Sequence, residues 1–288
     1  MLDQAEKLRK IAKENNKNNG LTRVITVTSG KGGVGKTNLS VNLAISYAKM
    51  GKRVVVFDAD LGLSNVNVAL GLIPGPKYNL YHVLKGQKNI LDVATDAPGG
   101  IKIISGAIGI VELSNLSEEQ RKNFVEGIGK LSEIAEIIII DTGAGLSANV
   151  LSFILAADEV VLITTPEPTA IADAYGMMKA IYKEDDEKNV KLVINRVDSI
   201  MEGKKIVDHF TNIVGQFLNM KVESLGYILE DAIVGKAIRQ RRPFALNYPN
   251  SKATNCVHHI RNKLENVSEE PKGITNFIKS FFRYSVNL

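Results

Sequence analysis

The chain has 288 residues, 44% of them apolar, with 36 lysines and arginines against 31 carboxylates, giving a net charge of +5. This length suits one α/β domain with appendages, and no uninterrupted apolar run approaches the roughly 18–20 residues that cross a bilayer, so a soluble globular protein is expected. Cys256 is the only cysteine, which excludes an internal disulfide, and MLDQAEKLRK lacks the apolar core of a secretory signal, so a cytoplasmic location is expected; the basic excess suits nucleotides, nucleic acid or anionic lipid without choosing among them.

The first 14 residues place Ala5, Leu8 and Ala12 on one helical face with Ile11 beside them, and NNKNNG then separates this short helix from the first strand, as a tether would. From Thr22 the pattern alternates β-branched runs with helical stretches: TRVITVT, a helix over about 37–50, KRVVVFD, IKIIS, a helix over about 118–131, EIIIID, EVVLIT, a helix over about 169–182, and KLVIN. Strands that are apolar throughout, separated by helices, predict a doubly wound, mostly parallel sheet covered on both faces. At the far end Pro271 and Gly273 break the chain before a helix in which Ile274, Phe277, Ile278, Phe281 and Phe282 share one face, with Lys272, Lys279 and Arg283 supplying charge. The expected division is therefore an N-terminal helix and tether over 1–20, the α/β domain over 21–266 and an amphipathic helix over 267–288.

Residues Gly30 to Thr37 fit GxxxxGK[ST] between a strand and a helix, the context a phosphate loop requires. Its glycines let backbone N–H groups approach phosphate oxygens, the helix N-terminus adds positive potential, Lys36 reaches the β and γ phosphates, and the Thr37 hydroxyl can ligate Mg²⁺. A second lysine, Lys31, has no role in that scheme.

KGGVGKT resembles the deviant Walker A box of the MinD/ParA class of P-loop ATPases. The resemblance implies that ATP and Mg²⁺ are bound, that Gly30, Lys31, Gly32, Gly33, Val34, Gly35, Lys36, Thr37 and Asn38 form the phosphate site, and that Lys31 reaches the ATP of a partner subunit in an ATP-dependent homodimer. VVVFDADLGLSN is similar to switch I of MinD-type proteins, which implies that Asp60 positions the attacking water and that Asp58 belongs to the Mg²⁺ shell. EIIIIDTGAGLS is an apolar strand running into Asp141, as in a Walker B element that holds Mg²⁺, and DTGAG resembles switch II. LVINRVD and LGYILED imply an adenine side formed by Asn195, Arg196, Leu229, Glu230 and Asp231. Similarity spans roughly residues 22–264.

One cysteine cannot hold the cluster of the iron–sulfur members of this class, and a lone Tyr284 is not the C-terminal tyrosine cluster of its kinase relatives. The tail helix favours membrane switching, with ATP-driven dimerisation doubling weak anchors on an anionic membrane surface, although a helix docked permanently on the core would carry the same apolar face. LDQAEKLRK resembles the DQAxxLR motif that precedes the ATPase domain in the FlhG (FleN, YlxH) group of MinD-type regulators of flagellar number and placement. Asp3, Gln4, Ala5, Leu8 and Arg9 match it, which implies stimulation of the partner GTPase FlhF and contacts to flagellar C-ring proteins. No specific nucleic acid is expected. The competing readings are a ParA-like ATPase that binds DNA nonspecifically through Arg239, Arg241 and Arg242, and an interaction module that binds ATP without turning it over.

Overall fold

A computed structural model of the chain describes residues 21–60, 65–106, 118–266 and 271–287. The N-terminal helix expected over residues 1–14, with Asp3, Gln4, Ala5, Leu8 and Arg9, lies outside them, as do residues 61–64, immediately after Asp60.

The strands among the described residues are β1 (Arg23–Thr28), β2 (Val54–Ala59), β3 (Thr95–Ala97), β4 (Ile101–Ser105), β5 (Ile137–Thr142), β6 (Glu159–Thr164), β7 (Val190–Val197) and β8 (Val222–Leu229). They form a single sheet in the order β3-β4-β2-β5-β1-β6-β7-β8, parallel except for the short β3, which pairs antiparallel with β4. The doubly wound sheet expected from the sequence is present, with β3 and β8 added at its edges. β8 is hidden in the sequence because VESLGYIL interrupts its apolar run with Glu223 and Gly226, and Gly226 sits at φ +119° where the register with β7 slips.

The isoleucine run of β5 shows why both faces must be covered. Ile138 and Ile140 enter one apolar core while Ile137 and Ile139 enter the other, as the two-residue period of a strand dictates. Against the Ile137 face lie α1 (Lys36–Ala48), α2 (Asn65–Ala69), α9 (Ala232–Arg239), α10 (Phe244–Asn247) and α11 (Lys252–Asn266). Against the other lie α3 (Leu80–Leu84), α4 (Ile90–Val93), α5 (Glu118–Gly129), α6 (Ala148–Ala156), α7 (Pro168–Glu184), α8 (Ile200–Leu218) and α12 (Ile274–Asn287). No helix among the described residues is long and apolar enough to cross a membrane.

The apolar face of α12, for which the sequence leaves open a membrane or the protein's own core as cover, is docked on the core. Ile274, Phe277, Ile278, Phe281 and Phe282 are all at most 7% exposed. Phe277 stacks on Phe153 of α6 at 6.2 Å, Phe281 meets the same ring at 4.6 Å, and Phe282 lies edge-on to Phe124 of α5 at 6.0 Å. A void of only about 20 Å³ remains beneath them. At the root of the helix the Asp158 carboxylate accepts the Lys272 N–H at 2.9 Å with one oxygen and the Val24 N–H at 2.8 Å with the other, which ties the chain leading into α12 to the start of β1.

Opposite the ends of the strands that carry the phosphate loop, a buried ion network closes the sheet. Glu159 takes both Arg23 and Lys191, and Arg23 continues to the Glu265 carboxylate at 2.5 Å and the Leu264 carbonyl at 3.1 Å. Three strands and the end of α11 thus share one set of charges, each satisfied by a neighbour, which is the condition under which buried charge is tolerated.

Candidate nucleotide site

β1 is central in the sheet, so the loop after Thr28 emerges where strand order reverses, the usual ligand position of an open parallel sheet. Residues 29–35 curl over the N-terminus of α1, and Gly35 caps it at φ +103°, a left-handed conformation that a side chain would strain; a methyl there would also strike the Asn195 amide. Gly30 is required for a different reason, because a methyl on it would collide with the Asp173 carbonyl of α7.

Lys36 begins α1 and is buried, with its ammonium 3.0 Å from the Ser29 hydroxyl. Burial lowers its pKa, and the attraction of Asp141 and Asp60 opposes that shift. Asp58 and Asp141 are register partners on the adjacent strands β2 and β5, both buried, and they alternate onto the α1 side of the sheet with Val56 and Ile139. Thr37 donates its hydroxyl to Asp141 Oδ2 at 2.6 Å and Ser40 to Oδ1 at 2.9 Å. Burial pushes the Asp141 carboxyl up to about 6, against the pull of those two hydroxyls and of Lys36. A buried carboxylate flanked by a threonine hydroxyl and a lysine is a donor set that suits a hard divalent cation beside phosphate. Asp60 comes just past the end of β2, with its N–H on Asp58 Oδ1 at 3.2 Å and its carboxylate against Gly143.

Lys31 is set apart from these groups. Its ammonium lies 2.8 Å from the Thr169 hydroxyl and 3.3 Å from Glu167 at the start of α7, half-exposed, and it does not line the cavity of about 360 Å³ that Gly33, Lys36, Thr37 and Asp60 share. The adenine-side residues line a second cavity of about 270 Å³ that meets the first at Gly35, Asn38, Arg196 and Ile238. Asn195 donates to the Val34 carbonyl at 2.7 Å and accepts the Arg196 N–H at 3.0 Å, which leaves one donor and one lone pair of its amide for a base edge. Asp231 lines the cavity, but its carboxylate already caps α9 through the Ile233 N–H and accepts the Ala253 N–H. A further cavity, about 630 Å³ between α8, β8 and α11, contains none of the phosphate loop and shares only Leu229 with the adenine side.

Several contributors carry no signal that the sequence reading used. Ser40 lies one helical turn beyond Lys36, and that spacing could have placed its hydroxyl on the Asp141 side. Ser29 and the Asp173 carbonyl belong to no motif. Arg242, read only as part of a basic run, lines the phosphate cavity.

The Asp141 carboxyl gives a sign-definite expectation. Its folded value, about 6, lies above its ordinary 3.8, so its favourable contribution is complete below pH 4 and is lost as pH rises through about 6. Asp141→Asn should then raise the Tm of the nucleotide-free protein at pH 7.5 while removing Mg²⁺-dependent hydrolysis. In the wild type the half-saturating Mg²⁺ concentration should climb as pH falls below about 6, because protons compete for the same oxygens. A lower Tm for Asp141→Asn, or an Mg²⁺ requirement that is flat between pH 5 and 8, would contradict this account.

Residues 25–244 match the family described as the CobQ/CobB/MinD/ParA nucleotide binding domain. The chain is 36% identical to the antiactivator FleN of Pseudomonas aeruginosa over 88% of its own length and 91% of that protein's, and 35% identical to the flagellum site-determining protein YlxH of Helicobacter pylori over 93% and 92%. The MinD cell division protein complex with MinC from Aquifex aeolicus superposes with a TM-score of 0.70 at 26% identity, covering 87% of this chain and 99% of that one. The phosphate loop, the buried aspartate beneath it and these likenesses agree: the chain belongs to the MinD/ParA family of nucleotide-binding proteins and is a P-loop ATP hydrolase.

Proposed function

We propose that the protein is an ATP-switched regulator of flagellar number and placement that dimerises around two Mg·ATP, attaches to membrane through α12 and stimulates a partner GTPase through its N-terminal segment. The observation that carries the switch is the position of Lys31 outside its own phosphate cavity. Lys36 serves the nucleotide of its own chain, whereas an exposed ion pair such as Lys31–Glu167 is worth at most about 1 kcal/mol and yields readily to a phosphate across a dimer interface. Thr37, Asp141 and Asp58 would hold Mg²⁺, which supplies charge neutralisation on the phosphates when bound. Asp60, beside Gly143 at the mouth of the cavity, would orient the attacking water, and Asn195 would read the adenine edge.

Membrane attachment follows from α12 by an exchange. Five buried apolar side chains give a gross gain of roughly 10 kcal/mol in the groove, and an acyl-chain boundary offers the helix a similar gain. The groove, however, loses its cover when the helix leaves, so docking is the resting arrangement and release has to be driven by nucleotide or partner.

The flagellar role rests on the likeness to FleN and YlxH, and the GTPase role on Asp3, Gln4, Ala5, Leu8 and Arg9. Too few apolar residues precede the tether to form a core, so that segment would fold on its partner. A peptide of residues 1–20 should accelerate GTP hydrolysis by FlhF on its own, and a chain lacking those residues should keep its ATPase activity and lose the stimulation. A peptide without effect on FlhF that binds GTP and dimerises would return the protein to the general MinD-like class.

A further inference from the structure

We propose that the segment leading through α3 and α4 forms a second membrane-facing element, a lysine and tyrosine patch that docks on anionic phospholipid headgroups beside the α12 groove. It rests on the membrane reading above. Residues 61–91 contain no aspartate or glutamate, and their only fully charged side chains are Lys77, Lys85 and Lys88. All three stand over tyrosine rings: Lys77 and Lys88 lie 5.2 and 4.4 Å from the Tyr78 centroid, and Lys85 lies 5.2 Å from that of Tyr81. His82 packs edge-on against both rings, at 5.3 and 6.0 Å.

Two ammonium groups gathered at one ring repel each other, and neither Lys77 nor Lys88 forms an ion pair among the described residues. The next carboxylates along the chain are engaged elsewhere, Asp92 on the Asn89 N–H at 3.1 Å and Asp96 with Lys102 at 2.6 Å. An anion between the lysines would relieve that repulsion. The position selects the kind of anion. Leu80, on the buried side of α3, lines the same cavity as Phe277 and Phe281, so the patch and α12 belong to one layer of the molecule. Lys279 and Arg283 on the outward side of α12 extend the same sign of charge. Tyrosine, with an apolar ring and a polar tip, suits the headgroup level, and basic residues beside an amphipathic helix add attraction to an anionic leaflet.

The test uses the full chain with ATP, sedimented with vesicles of equal parts phosphatidylglycerol and phosphatidylcholine or of phosphatidylcholine alone. Each lysine near an anionic surface contributes about fivefold to partitioning, so Lys77→Gln/Lys85→Gln/Lys88→Gln should bind the phosphatidylglycerol vesicles about 100-fold more weakly. The same variant should keep its binding to phosphatidylcholine and its ATPase activity without vesicles, and the triple arginine variant should bind as the wild type does. Partitioning of the glutamine variant within twofold of wild type would overturn the patch, as would loss of salt-sensitive binding to duplex DNA with vesicle binding retained. Failure of the anchor reading shows separately, because Phe277→Asp/Phe281→Asp should lose binding to both vesicle types rather than only the anionic preference.

Discussion

Replacing Lys31 by alanine should lower ATP turnover by about 100- to 1000-fold, the loss seen when one donor is removed from a developing oxyanion, while nucleotide affinity changes little. The split follows from geometry. Lys36 lies inside the phosphate cavity and would continue to bind, whereas the Lys31 side chain contacts Thr169 and Glu167 outside it, so its loss would leave the binding of its own chain's nucleotide little changed. Asp60→Ala should behave in the opposite way with respect to assembly: binding survives, hydrolysis stops, and a dimer accumulates in light scattering with ATP. If Lys31→Ala dimerises and hydrolyses normally, or Asp60→Ala stays monomeric with ATP bound, the two-nucleotide sandwich is wrong and Lys31 is a solvated loop residue.

The double substitution Phe277→Asp/Phe281→Asp should have two large effects. Both rings pack on Phe153 and are nearly inaccessible, so two carboxylates there would either be desolvated or would expel the helix. Losing the packing of even one buried phenylalanine costs about 3–5 kcal/mol, which for a chain of this size is a fall in Tm of roughly 10 °C. ATP-dependent binding to vesicles should disappear as well, since the face that would enter lipid now carries charge. A Tm within 2 °C of wild type would mean that the docked helix is not the resting state. Undiminished vesicle binding by the variant would dispose of α12 as the anchor. A wild type that never binds vesicles, paired with the loss of stability, would make α12 a purely structural helix.

The central sheet is readable from the sequence because apolar runs such as EIIIID and EVVLIT must be buried on both faces, and that demand is local to each strand. β8 escapes because an edge strand with Glu223 and a left-handed Gly226 lacks such a run, and β3 because three residues, Thr95–Ala97, carry no period at all. In the site, Lys36 and Thr37 are legible because a phosphate loop forces residue types at fixed spacing, and Asp141 because an apolar strand runs into it. Ser40 and the Asp173 carbonyl are not, because any helix offers a hydroxyl or carbonyl, and only the packing of α1 and α7 brings the one to Asp141 and the other to the loop. The tail shows a third case. An apolar helical face is legible as a face, but the sequence does not say whether protein or lipid covers it, because Phe153 and Phe124 offer the rings of α12 much the same surroundings as acyl chains.

The bond between Asp158 and the Lys272 N–H also sets a length scale. It fixes the chain two residues before α12 begins, so a helix leaving its groove would swing about that point as a lever rather than trail from a loose end. Fourteen residues at 1.5 Å each give an arm of about 21 Å. An arm of that length, hinged against the start of the central strand β1, searches a small volume. Under the proposed dimeric attachment, the second arm would therefore meet the bilayer at a high effective concentration once the first had landed.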